Sequence, residues 1–172
     1  MKIAIITDTH FGGRRGSKVF HDFFQKFYDH IFFPELEKRG IKHCIHMGDA
    51  FDNRKNIDYW SLDWAKEHVY DKFKNLGVQV WQLVGNHDVY YKNTNEINSI
   101  DLLLEHYDNI IPISSPDTYD IGGFKAMMLP WICDDNYKET CDAIEKSDAK
   151  IAFGHLELTG FELYPGMVQQ GG

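Results

Sequence analysis

The chain has 172 residues, a length that suits one domain or one domain with a fragment of a second. Hydrophobic residues make up 43% and charged residues 26%, ordinary globular usage that excludes a disordered or fibrous chain. Lys and Arg total 18 against 26 Asp and Glu, a formal charge of −8, so bulk charge does not attract nucleic acid and a phosphate polymer would have to be held by a local basic patch or bound cations.

Residues 2–7 are a short apolar, β-branched run that predicts a buried strand. The start turns acidic at Asp8 with no extended apolar region, which does not fit a signal peptide, and no apolar run approaches the ~20 residues of a membrane span. A cytoplasmic setting is expected. Residues 11–18 carry three glycines and read as a loop, with Ser17 placed to cap a helix. Phe20, Phe23, Phe24, Phe27 and Ile31 then recur at helical spacing; the stripe is expected to be core, with Pro34 kinking or restarting the helix and Gly40 ending it.

Residues 44–47 predict a second strand, 58–75 a helix stopped by Gly77, 78–84 a third strand and 97–106 a shorter helix. Residues 110–113 are extended, and Gly122-Gly123 joins 118–121 to 124–129 as a hairpin. A polar helix over 136–147 and a strand over 150–153 follow, with no closing element expected after 161–168 or in the tail 169–172. Alternating strands and helices predict an α/β fold with a largely parallel central sheet. Cys44, Cys133 and Cys141 form no C-x-x-C pair and read as free thiols.

Four polar clusters stand at the carboxyl ends of predicted strands: Asp8-Thr9-His10, Gly48-Asp49-Ala50-Phe51-Asp52, Gly85-Asn86-His87-Asp88 and Gly154-His155. In an open α/β sheet such loops converge on one crevice. Carboxylate, imidazole and amide oxygen together suit divalent first-row metals. Asp8 and His10, two apart on an extended segment, point to one side and can reach one ion. His43-x-x-His46 precedes Asp49 within a strand and reads as ordinary strand histidines, as His21, His30, His68 and His106 read as surface or packing residues. Each motif alone is weak; their order and placement carry the weight.

This ordered series resembles the calcineurin-like metallophosphoesterase superfamily. The phrases Val84-Gly85-Asn86-His87-Asp88, Leu129-Pro130-Trp131-Ile132 and Gly154-His155-Leu156-Glu157-Leu158-Thr159-Gly160-Phe161 are similar to its branch of double-strand-break repair nucleases, SbcD-like and phage recombination endonuclease subunits. The resemblance implies a sandwich with a largely parallel sheet flanked by helices. It implies two divalent ions, Mn²⁺ by preference, with Asp8 and His10 on one, Asn86 and His155 on the other, and Asp49 bridging. His87 would face the substrate phosphate and protonate the leaving oxygen, with Asp52 orienting it. The branch further implies exonuclease and single-strand endonuclease action on DNA in recombination, repair or replication, an SMC-like ATPase partner, and a homodimer seam as one use of aromatic residues on the first two helices.

One departure stands out: the family's closing Gly-His-x-His is absent from the 172 residues. The sequence therefore reads as the amino-terminal part of a longer nuclease domain, incomplete at its carboxyl end and of little activity alone. Among the basic residues near the motifs, Arg14, Arg15 and Arg54 are the candidates for DNA phosphate. The competing functions are a phosphoesterase acting on small phosphodiesters or phosphoproteins, and a non-catalytic interaction module.

Overall fold

The computed structural model describes residues 1–168; the expectation for the tail 169–172 lies outside them. Strands β1 (Ala4–Ile6), β2 (His43–His46), β3 (Gln79–Leu83) and β4 (Ile110–Ile113) form a four-stranded sheet in that spatial order, every pairing parallel. Strand β5 (Asp117–Asp120) pairs antiparallel with β6 (Lys125–Leu129), and β6 pairs parallel with β7 (Ala152–Gly154) in a second sheet. The turn between β5 and β6 places Gly122 and Gly123 at φ 61 and 89, the left-handed pair that a two-residue hairpin needs.

The central strands of the first sheet are covered on both faces, which is why they read as apolar runs rather than alternating ones, whereas Ile5 of the edge strand β1 lies on solvent. Successive side chains point to opposite faces. Cys44 and Val80 turn to the helices, where Tyr70, Phe73 and Ile100 bury with them. Ile45, Trp81, Leu83 and Ile113 turn to the second sheet and pack on Ile121, Ala126 and Met128. The fold is thus an α/β sandwich of helices, parallel sheet and mixed sheet.

Helix α1 (Lys18–Phe27) passes through a π-helical turn (Tyr28–Phe32) into α2 (Phe33–Arg39). The helix restarts at Pro34, as expected, without a gap in the chain's helical path. Proline lacks the N–H for a bond to the preceding turn, and the wide turn just upstream absorbs the mismatch while Pro34 occupies the start of α2. Gly40, at φ 62, closes the helix as expected. Ser17 makes no side-chain cap, contrary to expectation; its carbonyl instead accepts from Nδ1 of His21 at 3.0 Å. The phenylalanine stripe is also only half core. Phe24 packs inward, whereas Val19, Phe23 and Ile31 lie on solvent and Phe27 is half-exposed, because the spacing of the run wraps further round the helix than one buried face.

A second long helix repeats the pattern: α3 (Tyr59–Ala65), a π turn (Lys66–Tyr70) and α4 (Asp71–Asn75). Asp58 caps it, its carboxylate accepting from the Ser61 N–H at 2.8 Å. Helices α5 (Ser99–Leu104) and α6 (Tyr137–Lys146) complete the helical set, and a short hairpin of β8 (Glu162–Tyr164) and β9 (Met167–Val168) follows β7. That hairpin, turning at Pro165-Gly166, was not expected. Among the described residues no helix is long and apolar enough to cross a membrane. The three cysteines are free.

Ile45 and Leu83 lie fully buried between the two sheets. Replacing either with Ala should lower unfolding free energy by about 2–5 kcal/mol through lost burial and the cavity left behind, read as a shift in the urea midpoint.

Candidate metal centre

The ladder between β1 and β2 does not stop at the strand ends. Met47 N–H donates to Ile6 O at 2.8 Å, Asp8 N–H to Gly48 O at 3.1 Å, His10 N–H to Asp49 O at 3.1 Å and Phe11 N–H to Ala50 O at 2.8 Å. Asp52 N–H then donates back to Phe11 O at 3.0 Å. The two loops are therefore zipped together along the route by which they leave the sheet. Within this zipper Asp8, His10 and Asp49 sit at φ 51, 42 and 53, in the left-handed region that side chains other than glycine rarely adopt. Such a conformation costs on the order of 1–3 kcal/mol and persists only where the surroundings dictate it. Here the backbone ladder dictates it, and the strain falls on three of the residues singled out by motif.

The five expected ligands come together. His10 Nε2 lies 3.7 Å from Asp8 Oδ1 and 3.7 Å from Asp49 Oδ2. The other oxygen of Asp49, Oδ1, lies 3.5 Å from His155 Nε2, which is 2.8 Å from Asn86 Oδ1. Asp49 is the buried member, its side chain only 6% exposed. His155 reaches this point from the second sheet: its backbone N–H donates to Leu129 O at 3.0 Å, extending the pairing of β7 with β6. The crevice is therefore closed between two sheets, where the sequence suggested the ends of one.

The chemistry of these atoms fits cations. His155 Nδ1 is 2.9 Å from the Met47 carbonyl, which can only accept, so Nδ1 carries a proton and Nε2 is the ring nitrogen turned to Asn86 Oδ1 and Asp49 Oδ1. An imidazole nitrogen, an amide oxygen and a carboxylate oxygen thus converge, a donor set that suits a divalent first-row cation. His10 Nδ1 is buried and faces the Asp52 carboxylate, which leaves Nε2 as the ring nitrogen turned to Asp8 and Asp49. Donor separations of this size match neighbouring ligands on an octahedral ion, roughly 3 Å apart for bonds near 2.1 Å. His10, Asp49 and His87 also bring one donor atom each within 4.8 Å of one another, so His87 stands within reach of the same group.

His87 is placed by the backbone of the Asp49 loop. Its N–H donates to Asp49 Oδ1 at 2.8 Å, and its Nδ1 donates to the carbonyl of Asp52 at 2.6 Å. The Asp52 carboxylate is turned elsewhere, with Oδ1 3.4 Å from His10 Nδ1. Asp52 thus touches His87 through its main chain, since the side chain follows the zipper towards His10. Arg14 and Arg15 are exposed in a left-handed turn, φ 54 and 61, beside the site, with the Arg14 guanidinium 5.3 Å from the Phe20 ring centre. Arg54 is half-buried, its guanidinium 5.4 Å from the Trp131 ring centre, and its Nη1 is buried without a partner among the described residues.

Three supporting residues escaped the sequence reading. His46 is buried, and burial holds its imidazole down to about pH 3 against the opposing pull of Asp8, so the ring is neutral. Its Nδ1 accepts from the Gly48 N–H at 3.2 Å, which leaves Nε2–H to donate to Thr9 Oγ1 at 3.1 Å; that hydroxyl in turn donates to Ala50 O at 3.1 Å. This relay pins the β2 loop to the β1 loop. Asp88, also buried, ties the β2 loop to the β3 loop: Oδ1 accepts from Ala50 and Phe51 N–H at 2.9 and 3.2 Å and Oδ2 from Gly85 N–H at 2.9 Å. Burial pushes its carboxyl up to about 6, opposed by those three N–H groups. Gly85 leaves room for Asp49: a Cβ there would overlap both Asp49 Oδ1 and its backbone nitrogen.

Residues 1–169 match the calcineurin-like phosphoesterase family. The chain belongs to that family. It is 36% identical over 135 residues to exonuclease subunit 1 of Enterobacteria phage T4, an alignment covering 78% of this chain and 40% of that protein. The chain thus spans less than half the length of this curated relative. A protein of unknown function from Aquifex aeolicus shares 18% identity over 91% of this chain and 79% of its own, with a TM-score of 0.48. The calcineurin-like phosphoesterase family uses divalent metals, in keeping with the donor set above.

Two outcomes follow for this phosphoesterase. Gly85→Ala should push the Asp49 carboxylate aside and weaken divalent-cation binding about 10- to 100-fold by isothermal titration calorimetry, with the fold retained by circular dichroism. Thr9→Val should strand the buried Nε2–H of His46 and lower unfolding free energy by about 1–3 kcal/mol in urea titrations.

Proposed function

We propose that the chain is the catalytic part of a DNA nuclease subunit that hydrolyses phosphodiesters with two divalent ions, Mn²⁺ being the preferred metal. The observation that carries this reading is the division of Asp49: one carboxylate oxygen faces His10 and the other faces His155. A buried carboxylate shared in this way would serve two ions, with Asp8 and His10 to hold one and Asn86 and His155 to hold the other. Ions held there would lower the pKa of a bound water and neutralise phosphate charge. They would also bring local positive charge to a protein of net charge −8, so its acidity does not oppose a phosphate substrate.

The remaining residues act on the substrate. The Asp52 carbonyl fixes the proton of His87 on Nδ1, so Nε2 is the atom that gains and loses a proton. His87 gives that proton to the departing sugar oxygen. The Asp52 main chain therefore orients His87, while its carboxylate holds His10 in place. Arg14 and Arg15, on the exposed turn, and Arg54, with an unused donor, hold the DNA backbone. The sequence offers no Gly-His-x-His, so each ion lacks an imidazole that the family supplies and turnover by these residues alone is slow.

The phage relative is named as a subunit, which favours a partner, and an SMC-like ATPase in recombination or repair suits the branch resemblance. Val19, Phe23, Phe27 and Ile31, at four-residue intervals on the outer face of the first helix, provide a seam for a second copy. The bacterial or phage-infected cytoplasm is the setting in which such a subunit would act on DNA. A second arrangement, with His87 as a ligand beside His10 and Asp49, is favoured by their donor cluster.

Single-turnover digestion of a labelled oligonucleotide, with protein in excess, tests the reading. Mn²⁺-dependent cleavage is expected, reduced at least about 100-fold by Asp49→Ala and by His87→Ala. Calorimetry should show Mn²⁺ binding lost in Asp49→Ala and kept in His87→Ala. Unchanged cleavage in either variant contradicts the proposal, loss of Mn²⁺ binding in His87→Ala makes it a ligand, and faster turnover of bis-p-nitrophenyl phosphate than of DNA points to a small phosphodiester.

A further inference from the structure

Beside the metal centre a cleft of about 690 Å³ opens between Trp131, Tyr137, Lys92 and the segment beginning at Leu156. Its volume lies within the range of sites that enclose a small organic molecule. It adjoins the ligands directly. Leu156 follows His155 in the chain, and the Trp131 N–H donates to Val84 O at 2.8 Å, two residues ahead of Asn86.

The charge of the lining argues against a second phosphate pocket. Lys92 is the one cation among its lining residues, outnumbered by the carboxyl side chains of Asp134 and Glu157, and the neighbouring Arg54 guanidinium is turned onto the Trp131 ring. An anion gains little there. A neutral heteroaromatic ring gains more, since Tyr137 leaves 63% of its surface exposed and Trp131 is half-buried beneath the Arg54 guanidinium. Aromatic faces stack any base, and carboxylates accept from the ring N–H and exocyclic amino groups of bases.

We propose that this cleft is a nucleobase subsite, holding the base of the nucleotide whose phosphate lies at the metal centre, with Trp131 and Tyr137 as stacking surfaces. The inference rests on the phosphodiesterase reading above and adds where the substrate's base goes. It makes the site prefer a nucleotide over a bare phosphate ester, with little choice among sequences, because stacking does not distinguish bases strongly.

The test is binding, by calorimetry in saturating Mn²⁺, of 2′-deoxyadenosine 5′-monophosphate and of deoxyribose 5-phosphate, which lacks the base. The nucleotide should bind about tenfold or more tightly. Tyr137→Ala should erase most of that advantage and leave deoxyribose 5-phosphate unchanged, while Tyr137→Phe keeps it. Tyr137 stands exposed at the start of α6, so neither change burdens the core. Equal affinity for the two ligands, or an advantage that survives Tyr137→Ala, overturns the subsite and leaves the metal centre standing. If neither ligand binds, the subsite and the phosphodiesterase reading fall together.

Discussion

The structure is organised around one buried carboxylate. Asp49 is withdrawn from water, yet its two oxygens face imidazoles on opposite sides, and among the described residues its carboxylate accepts a hydrogen bond from the His87 N–H alone. An ionised carboxylate in such a place is unfavourable unless positive charge reaches it. The zipper of backbone bonds between the β1 and β2 loops, the left-handed residues within it, and the buried side chains of His46, Thr9 and Asp88 all hold that carboxylate where a cation can serve it. Stability and chemistry are opposed at this point. The strain stored at Asp8, His10 and Asp49 is maintained by the layers of packed sheet and helix beneath them.

How much of this was legible in the sequence depends on the length scale of each interaction. The strands, the hairpin at Gly122-Gly123 and the end of the first helix at Gly40 follow local rules, and the structure shows them. The gathering of Asp8, His10, Asp49, Asn86 and His155 was expected because strand carboxyl ends converge, although His155 arrives from a second sheet. What local pattern could not give was partner choice. His46 looks like any strand histidine until its ring meets Thr9, 37 positions away, and Asp88 looks like a turn residue until it accepts from a loop 37 and 38 positions away. The one signal available was position: a polar residue inside an otherwise apolar strand, three residues before Asp49. The Asp52 carboxylate turned to His10 for a similar reason, since the zipper, invisible in sequence, decides where that side chain points. The aromatic stripe misled because helical spacing shows periodicity without showing which rows meet the core.

Net charge and local charge differ in this protein. The negative total is spread over the surface, whereas the centre gathers imidazoles and a few carboxylates to which cations would bring positive charge. Arg14, Arg15 and Arg54 stand on the same loops that carry the expected ligands, so in the proposed reading metal and DNA-backbone recognition would share one scaffold. The adjoining cleft, poor in positive charge and bordered by Trp131 and Tyr137, would complement them in that reading by taking the base of the nucleotide.

The central claim is that Asp49 joins two ions. Anomalous scattering from crystals soaked in Mn²⁺ tests it most directly. The account predicts two manganese peaks with Asp49 between them, one held with Asp8 and His10 and the other with Asn86 and His155. A single peak on His10, Asp49 and His87, with His155 still bonded to Asn86, would contradict it.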